Sequence, residues 1–379
     1  MAARRRNPAR RGRRAVAWTI GIVVAAQFVA CWVLDFTWPL VRFPSLEQTV
    51  AVVQRQPDSP DIVSLGSSRL GAGFREKLIA QELQRIDPDV KVFNACIEGA
   101  DPYTMDHVLR HLLAAGMRPK LAVIEVSPET LADKNRWLKF NMLRMMTWSN
   151  LNQFVTHIPA CGGGREFFMS RFLPLICHRQ MIVESLLLKV MGNDKPRMMA
   201  TGSAKTAQDW EKLKTTGVPW EEYMARARSK PAKPEDLTKA ELPFVEKWLT
   251  GYTINQGRAA QALDRVLTQC REHQIDVMLV AIPVAGPHRA LYVPAVENAF
   301  HQHIAQLTAR YGCRYVDYRD RIEDKLFQDN HHLMLEGARV FSHTLTREVL
   351  APKWQEHIAG RKRSTEDRSV QQAGFTATP

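Results

Sequence analysis

Five short stretches of this chain are apolar with few interruptions, and they lie around residues 62–65, 90–96, 120–126, 275–283 and 313–318. The first holds Ile62, Val63 and Leu65, and the fourth runs Ile275-Asp-Val-Met-Leu-Val-Ala-Ile-Pro283. Unbroken apolar runs, as opposed to alternating ones, belong to strands covered on both faces, as in a parallel sheet. The segments between them have the other period. Leu78, Ile79 and Leu83 fall on one face of a helix predicted over 74–86, and further helices are expected over 105–116, 256–273, 294–311 and from after Gly337 through Leu350. Strand and helix in alternation imply crossover connections and a parallel sheet between two helical layers.

Two regions break the rhythm. From residue 132 to about 252 no strand is legible, and the segment, rich in Met, Trp and Lys, is expected to be a largely helical insertion whose 189–239 portion forms a Lys/Pro/Glu surface arm. At the other end, residues 15–34 are uncharged and apolar, about the 20 residues that a bilayer-spanning helix needs. The expected organisation is a basic segment (1–14), a transmembrane anchor (15–36), a proline-interrupted connector (37–60), an α/β domain (61–352) containing the insertion, and a disordered tail (353–379). Five strands in such a domain predict a flavodoxin-like three-layer α/β sandwich with ligands bound at the carboxyl edge of the sheet.

Charge sharpens the anchor. The net charge is +13, but seven arginines fall within the first fourteen residues, so the body is only mildly basic. Arginines before an apolar span stay cytoplasmic, which would leave everything after Trp38 outside, with Trp18, Trp32 and Trp38 as interfacial aromatics. A cleaved signal peptide and lipidation at Cys31 are the rival readings of the same stretch. Without a folded basic face or a nucleic-acid module, nucleic acid is not an expected partner. His288, His301 and His303 lack metal-ligand spacing and are expected at the surface, so neither metal nor cofactor is expected. Cys161 and Cys177 are close enough in sequence for a disulfide in an oxidising compartment. Trp137, Trp148, Trp210, Trp220 and Trp248 in the insertion would serve helix packing or sugar stacking.

The first strand ends in Gly66-Ser67-Ser68-Arg69, and near the C-terminus stands Asp329-Asn-His-His332-Leu-Met-Leu-Glu-Gly337. Each alone is an ordinary turn or helix cap. Together, a strand-Gly-x-Ser and a late Asp-x-x-His-Leu-x-x-x-Gly resemble the first and last blocks of the SGNH (GDSL-like) hydrolase superfamily, particularly its membrane-anchored DltD-type and polysaccharide O-acyl-modifying members. The resemblance implies Ser68 as nucleophile, His332 as base and Asp329 as its orienting carboxylate, with His331 the competing base. It also implies that the backbone N–H groups of Ser68 and Cys96 hold the oxyanion. Arg69 and Ser127 are the candidates for substrate binding. The third block departs from the family, because residues 127–129 carry no asparagine; Ser127 or Asn135 would have to replace that donor. Glu125 and Glu129 are expected to be solvated, with pairing to Arg69 as the alternative.

The implied function is a membrane-anchored extracytoplasmic serine esterase or O-acyltransferase acting on acyl esters of cell-envelope glycans, in a setting that would suit membrane partner proteins. The alternative is a catalytically inactive scaffold of the same fold in envelope polysaccharide assembly.

Overall fold

The computed structural model describes residues 8–56, 58–135, 137–155, 157–160, 162–179, 181–183, 186, 242–254 and 257–360. Cys161, Trp210, Trp220, the 189–239 arm, the first seven residues and the tail from 361 lie outside them, and with Cys161 the expected disulfide. The chain divides into two compact units, one made of residues 1–52 and 134–215, the other of residues 53–133 and 216–379.

The larger unit carries the sheet. Strands β1 (Ile62–Leu65), β2 (Val92–Asn94), β3 (Leu121–Glu125), β4 (Asp276–Ala281) and β5 (Arg314–Asp317) are all parallel and lie in the order β2-β1-β3-β4-β5. This is the doubly wound order of flavodoxin-like folds, with its switch point beside β1. Every residue of β1 and β3 is buried, which is why these strands, apart from Ser64 and Glu125, are apolar without alternation.

The smaller unit supplies helices α1 (Pro8–Trp32), α6 (Leu138–Met145), α7 (Gly164–Phe172) and α8 (Pro174–Cys177), together with most of α2 (Pro44–Arg55). In the larger unit, α3 (Ser68–Gly73) and α4 (Glu76–Leu83) follow β1, α5 (Pro102–Ala114) follows β2, α9 (Arg258–Glu272) precedes β4, α10 (Pro294–Tyr311) precedes β5, and α11 (Leu335–Leu345) closes the fold.

Side chains alternate across the sheet. Ile62, Leu121, Val123, Met278 and Val280 face a core completed by Leu70, Phe74, Ile79, Leu83, Phe341 and Leu345 from α3, α4 and α11. The alternate positions Val63, Leu65, Ala122, Ile124 and Leu279 are buried on the other face, which α5 and α9 cover while packing on each other. Toward the carboxyl edge the α3 side turns polar. Asn94 on β2, Ser64 on β1 and Glu125 on β3 replace the aliphatic residues there, and all three are buried.

The proline-interrupted connector contains a helix, α2, that Pro44 opens, consistent with proline's tolerance in a first helical turn, and Leu46 and Val50 are buried. One expected boundary moves. The final helix runs on through a wider turn (Thr346–Leu350) to Gly360, so ordered structure passes residue 352. Trp354 is buried, and its Nε1 donates to Asp87 Oδ2 at 3.1 Å.

In the smaller unit, α1 belongs to a helical span, Arg11–Thr37, that is the one long and apolar enough to cross a membrane among the described residues. Asp35 ends it. Its carboxylate is buried between Arg42 (3.0 Å) and Arg171 (2.7 Å) and accepts the Trp148 N–H at 2.8 Å. The Arg42 guanidinium also donates to the Met146 carbonyl at 2.8 Å. Trp148 therefore packs with Arg171 and with Phe167 and Phe172, while Trp248, in the larger unit, is buried.

One cap of the larger unit titrates. Asp101 caps α5, its Oδ1 accepting both the N–H and the hydroxyl of Thr104 at 3.0 Å, while Oδ2 has no partner. Burial pushes its carboxyl up to about 6, against the pull of the Thr104 hydrogen bonds. Native protein then holds a proton that the unfolded chain releases near pH 4, so this group's contribution to stability falls as pH rises from 4 to 6. The difference is about 3 kcal/mol at full effect. Asp101→Asn keeps the cap acceptor and removes the charge. Urea unfolding in detergent should find the variant as stable as wild type at pH 4 and more stable at pH 7; equal loss at both pH values would refute this account of Asp101.

Candidate active site

Ser68 opens α3 directly after β1, and what supports it is buried. Ser67 caps the helix by accepting the Arg69 N–H on its hydroxyl at 3.2 Å. Glu125, across the sheet on β3, receives the Ser67 N–H at 2.7 Å and its hydroxyl at 3.0 Å. Gly66 makes that approach possible, because a Cβ there would stand 2.6 Å from the Glu125 carboxylate. On the β2 side, Asn94 Nδ2 donates to the carbonyls of Gly71 (2.9 Å) and Phe74 (3.0 Å), and Ser64 Oγ donates to Asn94 Oδ1 at 3.0 Å. The three polar strand ends thus tie down both ends of the helix that carries Ser68.

The partner of Ser68 arrives from the other end of the domain. Phe327 and Leu333 form a single antiparallel bridge, with the Gln328 N–H donating to the His332 carbonyl and the Met334 N–H to Leu326. The intervening loop is therefore tight. Asp329 Oδ1 accepts the backbone N–H groups of His331 (2.9 Å) and His332 (2.7 Å), leaving Oδ2 to accept His332 Nδ1–H at 2.7 Å. With Nδ1 protonated, Nε2 is the acceptor, and it stands 2.8 Å from Ser68 Oγ. Ser68, His332 and Asp329 are thereby in hydrogen-bonded succession across 264 residues of chain.

Helix α11 holds the two loops together. A Cβ on Gly337 would lie 2.7 Å from the Leu326 carbonyl, so glycine lets α11 press against the histidine loop. On the serine side, Ser342 Oγ donates to the Gly73 carbonyl at 2.6 Å and accepts the Arg75 N–H at 2.9 Å. Phe341 packs against Gly73, where a Cβ would come within 2.9 Å of the ring.

Charge in the site is arranged in two layers. Burial alone would raise the Asp329 carboxyl, but the hydrogen bond and charge of His332 outweigh it and hold the carboxyl below its usual range. Below the relay, Arg69 is fully enclosed. Its guanidinium is 2.7 Å from Glu125 Oε1 and 3.0 Å from Ser127 Oγ, and it pairs with Glu129. The two carboxylates raise the Arg69 pKa against the opposing effect of burial. Burial would likewise raise Glu129, but Arg69 and then His288 hold it well below its ordinary value. Tyr292 donates its hydroxyl to Glu129 Oε2 at 2.8 Å, and burial with the Glu129 charge keeps that phenol protonated. His288 Nε2 lies 3.6 Å from Glu129 Oε1, just beyond hydrogen-bond reach.

Several expectations change here. Arg69 and Ser127 are buried and bonded to each other, so they form the floor of the site and not a surface for substrate. Glu125 and Glu129 are buried beside Arg69, not solvated. His288 is fully buried, not a surface residue. The Cys96 N–H, expected at the oxyanion, donates to Asn94 Oδ1 at 3.3 Å, and the next amide, Ile97, donates to the Gly66 carbonyl at 2.9 Å. The Cys96 thiol faces Ser64 Oγ at 3.5 Å, and burial raises its pKa well above the ordinary value. Asn135 Oδ1 accepts the Trp137 N–H at 2.7 Å. His331 is buried against Asn330, and burial followed by the His332 charge lowers its pKa; it is His332 that reaches Ser68. Asp329, His331 and His332 present ligand atoms within 4.8 Å of one another, but a cation held by all three would have to displace the Asp329–His332 hydrogen bonds.

A parallel α/β sheet with a Ser-His-Asp succession at its carboxyl edge is a chemistry-bearing arrangement. The model of the family described as "Protein of unknown function (DUF1574)" matches residues 45–345, and the chain belongs to that family. Among curated proteins none matches. Among solved structures the chain is similar to TesA (13% identity, 76% of this chain and 97% of that one, TM-score 0.34). It is also similar to a GDSL-like lipase from Bacteroides thetaiotaomicron (10%, 79% and 93%, 0.33) and to the acetyl xylan esterase AlAXEase (12%, 76% and 99%, 0.32). Such distant likenesses assign no substrate.

The Arg69 floor can be tested through stability. Arg69→Met would leave two buried carboxylates without their cation, and breaking buried pairs in this way costs about 3–5 kcal/mol. Glu129→Gln should cost less, since the Tyr292 hydroxyl keeps an acceptor. Urea midpoints in detergent would measure both, and an Arg69→Met loss below about 1 kcal/mol would contradict the arrangement.

Proposed function

We propose that this chain is a serine ester hydrolase or O-acyltransferase of the SGNH type, held in the membrane by α1 and acting outside the cytoplasm on acyl esters of envelope glycans, as the DltD-like resemblance implies. The observation that carries the chemistry is the 2.8 Å and 2.7 Å line from Ser68 Oγ through His332 to Asp329 Oδ2.

In this mechanism Ser68 Oγ attacks the ester carbonyl carbon while His332 Nε2 takes the hydroxyl proton, and Asp329 stabilises the resulting imidazolium. The tetrahedral oxyanion forms beside the start of α3, where no described group accepts the Ser68 N–H, and that amide is the proposed donor. As the intermediate collapses, the C–O bond to the alcohol breaks and His332 returns the proton to the leaving oxygen. The acyl-enzyme is then resolved by water in a hydrolase or by a sugar hydroxyl in a transferase, with His332 again accepting the proton. The Arg69–Glu125–Glu129 floor holds the serine turn rigid during these steps, a positioning role.

The scaffold reading draws on a separate observation. The family's asparagine is missing, and the Cys96 amide is engaged with Asn94 Oδ1. Loss of one oxyanion donor costs about 2.7–4 kcal/mol of transition-state stabilisation. That slows a hydrolase without removing its nucleophile.

Full-length protein in detergent should be labelled on Ser68 by a fluorophosphonate and should cleave short acyl esters; Ser68→Ala should lose both. Asp329→Asn should fold normally yet lose about 10⁴ in turnover. Turnover faster with a glycan acceptor than with water would mark a transferase, whereas wild type that neither labels nor cleaves would make the chain a scaffold. For the anchor, protease added to intact spheroplasts should digest residues beyond Trp38. Digestion only after permeabilisation would reverse the topology.

A further inference from the structure

We infer that α7 and α8 enter the lipid leaflet beside the C-terminal half of α1, so that the chain holds the membrane by a second, non-spanning attachment. This rests on the reading of α1 as a bilayer span.

Gln27 is an amide within an otherwise apolar helical stretch, and it is buried. Its Oε1 accepts the Leu175 N–H, at the start of α8, at 3.1 Å. That contact fixes depth. Gln27 lies ten positions before Thr37, the end of the apolar span, which is about 15 Å along a helix axis. The hydrocarbon core is about 30 Å thick. With α1 across the bilayer, the start of α8 therefore sits at the level of the acyl chains and not above the headgroups.

The surface between that level and the end of the span suits lipid. Phe168 and Ile176 are 52% and 46% exposed, and Phe172 and Leu175 are exposed beside them. Phe168 and Phe172 stack with ring centroids 5.4 Å apart, giving one apolar face. Alone, such a face would not identify its occupant, but it continues that of α1, where Val24 and Phe28 are also exposed. Polar groups in hydrocarbon need internal partners. An amide leading into α8 has its partner in Gln27, and Arg171 has its own in Asp35.

Full-length protein reconstituted in phosphatidylethanolamine/phosphatidylglycerol vesicles carrying a diazirine on the acyl chain tests this directly. After photolysis, peptide mapping should find lipid adducts on α1 and on residues 164–177, and none on α10. Hydroxyl-radical footprinting of the same vesicles should leave 164–177 unmodified. Adducts on α1 with radical oxidation at 164–177 would overturn the inference and assign the apolar face to a protein partner. Protection from both reagents would overturn it in favour of self-association. An α1 without adducts would remove the anchor reading itself, so the two failures are distinguishable.

Discussion

A single buried guanidinium sets the geometry on which the candidate site depends. Arg69 sits one residue after Ser68, enclosed by carboxylates from β3 and from the turn that follows it. Because Glu125 also takes the Ser67 N–H and hydroxyl, the cation that neutralises it stabilises the serine turn as well. Buried ion pairs contribute little net stability compared with apolar packing of the same volume. Their value here is directional: a charged fork with several fixed acceptors permits one arrangement of the turn, where an aliphatic side chain would permit several.

The relay above that floor is built differently. Ser68, His332 and Asp329 are only partly buried, as the proposed reaction requires. Their alignment comes from backbone donors to Asp329 and from α11 bridging both loops. The buried layer carries rigidity, and the accessible layer is the one to which the chemistry is proposed to belong. Gly66 and Gly337 mark the close approaches on which each layer depends.

Much of the fold was legible in the chain. Strands buried on both faces announce themselves as unbroken apolar runs, and the helices between them keep the 3.6 period; all five strands and their parallel order followed. The spacing of Asp329, His332 and Gly337 was legible because a tight loop before a helix constrains it. The floor was not. Glu125 and Glu129 look like solvated carboxylates in a linear chain, since nothing local shows that Arg69, Tyr292 and His288 converge on them from distant segments. A carboxylate ending an apolar strand was the available clue. Asn94, polar within an apolar run, was a second one, and its claim on the Cys96 amide is what the family pattern alone could not reveal. The end of the fold was placed too early because Trp354 is buried by partners that a polar-looking tail does not advertise.

Ser68 and His332 are 264 residues apart, so the first strand-turn leaves the ribosome long before its partner exists. At about 5–20 residues per second, the serine waits on the order of ten to fifty seconds without a base. Even then the histidine loop has little to hold it until α11 has been made and has closed on Gly73. A nascent or truncated chain therefore carries an ordinary alcohol and not an activated one, and the proposed reactivity switches on only once α11 has been made. The order of blocks along the chain acts as a timer.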